Sequence, residues 1–149
     1  MKAVLACAAL AVLIGTPALA QTKEETMDYI VREVKALETA TLVVRDVRFT
    51  DDGKTFSYGS LLVGQKERTL SFPVDGVNYF VTETAGKGGP SFSLSVEGRG
   101  RTPVVSVSGQ RGNAPKAIAK NLPNGTKLKS LEKAFKHLAA LLTGRKELF

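Results

Sequence analysis

The chain carries one cysteine, one histidine and no tryptophan in 149 residues, and these scarcities exclude more chemistry than any motif includes. Cys7 stands in the apolar run at the amino terminus. Once that run is removed, no thiol remains for a disulfide, a zinc cluster or a sulfur nucleophile. A single histidine cannot make the His-x-x-x-His pair of a metalloprotease helix, and no acidic cluster with ligand spacing replaces it, so neither metal nor cofactor is expected. Serine is plentiful, yet Gly-x-Ser-x-Gly does not occur, and a conventional triad would have to recruit His137. Gly86-Lys87 is not a phosphate-binding loop, because Val81 stands where the earlier glycine belongs and Gly88 where the hydroxyl belongs. No catalytic residue is assigned.

Long hydrophobic runs are also missing: nothing after the amino terminus approaches the ~20 apolar residues of a membrane-spanning helix. The first twenty residues have the parts of an export signal: Lys2, an apolar run from Ala3 to Ile14, then Gly15-Thr16-Pro17 leading into Ala18-Leu19-Ala20, small residues that suit a cut before Gln21. Val4-Leu5-Ala6-Cys7 loosely matches a lipidation box, but most of the apolar run follows Cys7, the wrong side for that processing. The expectation is a signal over 1–20, one domain over 21–149, and a periplasmic or secreted product with a single hydrophobic core.

Charge is unevenly spread. Residues 21–84 hold 8 basic against 11 acidic side chains, and residues 85–149 hold 12 against 3. A basic half attracts phosphate-bearing or acidic partners, although such a surface also keeps a secreted protein soluble.

The clearest pattern is Thr126 to Leu142. Leu128, Leu131, Ala134, Phe135, Leu138, Leu141 and Leu142 recur at steps of three and four and form one helical face, with Lys129, Lys133, Lys136 and His137 opposite. Thr126 is placed to cap this helix and Gly144 to end it. An earlier helix starts at the capping box Thr22-Lys23-Glu24-Glu25 and runs through Met27, Ile30, Val31, Val34 and Leu37, with Asp28 and Arg32 spaced as an ion pair and Tyr29 at the edge of its packed face. Between the helices the period falls to two. Val43, Val47 and Phe49 are expected on one side of a strand, with Leu42, Val44 and Arg48 on the other. Asp51-Asp52-Gly53-Lys54 reads as a hairpin turn, Gly64 to Arg68 as a polar connection, and Asp75-Gly76, Gly86 to Pro90 and Gly98 to Pro103 as further turns between alternating runs. Ala114 to Ala119, bracketed by Pro115 and Pro123, has room for a helical turn, and Asn124-Gly125-Thr126 reads as turn and helix cap. The expected fold is α+β: an antiparallel meander of about 5–7 strands, as a curved sheet or a small barrel, packed by an N-terminal and a C-terminal amphipathic helix.

The close of the chain, Leu131-Glu132-Lys133-Ala134-Phe135-Lys136-His137-Leu138 with Leu141-Leu142-Thr143-Gly144-Arg145-Lys146-Glu147-Leu148-Phe149, resembles that of a class of small secreted bacterial proteins with a pleckstrin-homology-like layout. The likeness covers the order of elements over most of residues 24–149, and in motif only the last twenty or so. It implies the barrel alternative and no particular activity.

Two functions remain open. One is a non-catalytic exported binding or scaffolding domain that meets an anionic lipid, glycan or protein through Lys129, Lys133 and Lys136, joined by Arg99, Arg101 and Arg111 from glycine-rich loops. On this patterning His137 is solvated. The other is a small periplasmic hydrolase with paired carboxylates drawn from Asp46, Asp75 or Glu97, which would have to face each other across roughly 5–9.5 Å. Nucleic acid is disfavoured, since the aromatic residues lie mainly on the acidic half. Open sheet edges leave a homodimer possible.

Overall fold

A computed structural model of the chain describes residues 22–144; the export signal read in 1–20 and the closing segment 145–149 lie outside them. Helices α1 (Lys23–Lys35) and α2 (Thr126–Thr143) bracket β1 (Leu42–Phe49), β2 (Thr55–Leu62), β3 (Arg68–Pro73), β4 (Val77–Thr84), β5 (Ser91–Gly98), β6 (Val105–Val107), β7 (Gln110–Gly112) and β8 (Lys116–Leu122). The strands form two antiparallel sheets, ordered β1-β2-β3-β6-β7 and β4-β5-β8. The α+β class is therefore as expected. The single meander is not, because the chain leaves the first sheet after β3, builds the β4–β5 hairpin, returns through β6 to pair with β3, and crosses again for β8. Alternation specifies a strand's two faces but not its neighbours. Among the described residues neither sheet closes into a barrel.

Local corrections have local causes. In β1 the register shifts between Arg45 and Arg48, where Asp46 sits at φ 52°. This bulge inserts one residue and reverses the faces, so Leu42 and Val44 share the inner side with Val47 and Phe49, while Val43 lies outside opposite Leu61. The segment Ala114 to Ala119 makes no helical turn: most of it belongs to β8, paired with β5 through Leu94 opposite Ala119 and Val96 opposite Lys116. Its alanines and lysines have little strand preference of their own, so tertiary pairing decides.

Helix α1 begins with the expected capping box, Thr22 Oγ1 accepting from the Glu25 amide and Glu25 from the Thr22 amide. It lies antiparallel to α2, with Glu33 near its end 3.6 Å from Lys127 at the start of α2. Arg32 does not pair with Asp28. It reaches Glu33 at 3.7 Å and lies over the Tyr29 ring. Gly53 of the β1–β2 turn is wedged under α1: its φ is 75°, and a Cβ there would come within 2.9 Å of Lys23 and 3.1 Å of Met27.

Helix α2 is not capped by Thr126. Its cap is Gly125, and the Thr126 amide donates to Asn124 Oδ1 at 2.9 Å. A side chain at 125 would collide with the Phe92 ring, since a Cβ would sit 2.7 Å from it. Gly144, at φ 69°, ends the helix as expected. Leu128, Leu131, Ala134, Phe135 and Leu138 are buried, whereas Leu141 is exposed. The Phe135 ring closes one end of the space between the sheets, with centroids 5.2 Å from Phe56, 5.7 Å from Phe72 and 5.0 Å from Tyr79. Such contacts add about 0.5–1.5 kcal/mol per pair beyond the area they bury.

Candidate functional site

The site grows out of the inner face of the first sheet, where residues opposite one another on antiparallel strands share a side. Phe56 stands opposite Phe72, Tyr58 opposite Leu70 and then Val107, Ser60 opposite Val44 and Arg68, and Leu62 opposite Leu42. Along that sequence the face changes from aromatic and fully buried to polar and half-buried, then to leucines at the rim.

The other wall is β8. It is an edge strand, bonded only to β5, so part of its backbone needs partners from elsewhere. The Tyr58 hydroxyl donates to the Ile118 carbonyl, and Arg68 Nη1 donates to the Ala117 carbonyl at 3.1 Å. These two bonds tie the sheets together. Burial pushes the Tyr58 hydroxyl up to about 12, against a smaller opposing effect of the Arg68 guanidinium, so Tyr58 is a neutral donor at physiological pH.

Between these walls lies a cleft of about 580 Å³, within the range of small-molecule sites. Leu37, Leu42, Val44, Leu62, Ile118 and Leu122 give it an apolar lining, and Lys66, Arg68, Lys116 and Lys120 are its four charged residues. None of its lining residues is acidic. Among the described residues no carboxylate lies within 4.0 Å of any of these four cations. The charge on the lining is therefore all positive, and the nearby exposed carboxylate of Glu38 is engaged by the Val44 backbone amide at 3.1 Å.

The six basic residues singled out in the sequence have different surroundings. Lys129, Lys133 and Lys136 do lie exposed on α2. Lys136 joins Arg99, with Val77, Asn78, Tyr79 and Ala139, around a smaller hollow of about 380 Å³, but Arg99 is 3.2 Å from Asp75 and Lys136 3.9 Å from Glu132, so both carry local counter-charges. Arg111 is turned onto the Pro103 carbonyl at 3.3 Å, and neither it nor Arg101 lines either cavity.

His137 is buried, 5 % exposed, contrary to the solvated position read from the helical wheel. The buried arc of α2 is broader than its leucine stripe and takes in His137, Ala139 and Ala140 as well. His137 lines neither cavity. Of the three carboxylates considered, Asp46 is exposed in the β1 bulge, Asp75 is held by Arg99, and Glu97 stands on β5 opposite Asn78. None of them borders the cleft. Among the described residues no three His, Cys, Asp or Glu side chains are grouped to hold a metal, and no helix is long and apolar enough to cross a membrane.

Arg68 is what sequence reasoning missed. By composition it ends a polar connection, yet Leu70, Phe72 and Val74 alternate inward, and one step further back along the same period falls on Arg68. A cation in phase with a buried face was the available signal.

Comparison with family models, with curated proteins and with solved structures finds no match for this chain. Its function is accordingly read from the chemistry of the site.

Proposed function

We propose that this chain is an exported, non-catalytic binding domain that holds a small molecule with an apolar body in the cleft between β8 and the inner face of β1, β2 and β3. The observation that carries the reading is the unfilled row of that face. Leu42, Val44 and Leu62 belong to a sheet side that is fully buried at Phe56 and Phe72, and at the cleft they are only partly covered, with β8 standing across the gap. A paired-carboxylate hydrolase is the weaker reading, because neither cavity has an acidic lining residue. Export remains part of the proposal, on the strength of residues 1–20 alone.

A neutral, environment-sensitive naphthylamine dye tests this directly. Its fluorescence should rise saturably at one equivalent per folded chain, and Val44→Arg combined with Leu62→Arg should abolish the rise while the thermal transition stays cooperative. Unsaturable binding, or binding unchanged in the double variant, would contradict a cleft site.

A further inference from the structure

We infer that the ligand of this cleft is a single-chain anionic amphiphile, bound head inward, with its carboxylate or phosphate on Arg68 and its alkyl chain lying along the leucines toward the mouth. This rests on the binding reading above and adds to it the head group and the direction. Arg68 lies on the inner face of β3, half-buried, opposite Ser60 and one row inside the Leu42–Leu62 pair. One of its guanidinium nitrogens donates to the Ala117 carbonyl, and a guanidinium has five N–H donors in a fixed fork. Among the described residues no carboxylate within 4.0 Å compensates its charge. Removing a cation from water without a counter-ion is costly, and an entering anion offsets that cost while it satisfies the remaining donors, as a bidentate carboxylate or phosphate does. Ser60 adds a hydroxyl from the next strand.

The apolar part has its own place. Leu37, Leu42 and Leu122 are only half-buried and Leu62 is 45 % exposed, so four leucines line the cleft without being fully covered. Lys66 and Lys120 are exposed in its wall and Lys116 half-buried. All four cations favour an approaching anion, and the absence of any acidic lining residue disfavours a cationic one.

The test is a titration of the full-length mature chain, at amphiphile concentrations below micelle formation, with dodecanoate, dodecyl phosphate, dodecan-1-ol and dodecyltrimethylammonium as competitors of the neutral dye. Dodecanoate and dodecyl phosphate should both displace it, the alcohol about tenfold or more weakly, and the ammonium not at all. The ranking of the two anions tells which head the fork prefers. Shortening the carboxylate from twelve to ten carbons should weaken it about fourfold per methylene. Arg68→Met should lower dodecanoate affinity about tenfold or more and leave the alcohol unchanged, with Arg68→Lys intermediate, because charge is kept and the fork lost. Equal binding of alcohol and anion, or Arg68→Met without effect on a folded chain, overturns the head-inward anion while the cleft survives. If the dye itself does not bind, the cleft reading fails first, so the two failures are distinguishable.

Discussion

The two ends of the space between the sheets are built from the same strands and behave differently. At one end β2 and β3 contribute Phe56 and Phe72, and α2 supplies Phe135 to fill what the sheets leave. At the other end the same two strands contribute Ser60, Leu62 and Arg68, which border the cleft together with Leu37, just beyond the end of α1. A sheet face stays dry where a third layer seats a large side chain, and becomes a cleft where that layer stops. The large aromatic side chains are packed at the first end, and the proposed ligand cleft lies at the second.

Core substitutions should break that contrast most sharply. Phe135→Ala at the filled end should cost about 3–5 kcal/mol, whereas Val44→Ala, beside space that is already empty, should cost under about 1 kcal/mol; denaturant midpoints at constant slope give both values. Next is alkaline stability, which probes the boundary between the ends. The Tyr58 hydroxyl has its value raised to about 12 in the fold against about 10 unfolded, so its contribution is complete below pH 10 and disappears as pH climbs toward 12. The loss from Tyr58 should amount to roughly 3 kcal/mol, and Tyr58→Phe should remove that share of the slope, at the expense of an unpaired Ile118 carbonyl, and leave the share of Tyr79, whose hydroxyl burial also pushes well up. Gly125→Ala should cost about 1–3 kcal/mol by forcing a methyl group against Phe92 and lifting the start of α2 off the filled end; a thermal melt measures it. Smallest of all, the joint change of Lys129, Lys133 and Lys136 to Gln should shift stability by less than about 0.5 kcal/mol and leave dye binding intact, since these side chains are exposed and the one pair among them, Lys136 with Glu132, is a surface contact.

Much of the fold is written in local pattern. The capping box at Thr22, the turn at Asp52-Gly53 and the stop at Gly144 each depend on a few neighbouring residues, and each occurs where the pattern puts it. What escaped local reading depends on distant partners. β8 exists because β5 and the side chains of Tyr58 and Arg68 complete its backbone bonding. The face reversal at Asp46 follows from one inserted residue that no period announces. The wheel puts His137 outside, yet it is buried, together with Ala139 and Ala140, on a contact arc wider than the leucine stripe. The cleft escaped for the same reason: its floor is legible as alternation, but its emptiness is a property of where α2 ends its cover.

The most direct measurement is amide chemical-shift mapping of the isotopically labelled chain at saturating dye. The expected result is displacement of the Val44, Ser60, Arg68, Ala117 and Ile118 resonances, with Phe56, Phe72 and Phe135 unmoved. Displacement centred on Lys129, Lys133 and Lys136, or spread through the aromatic end, would contradict the division of one inter-sheet space into a filled half and a receptive half.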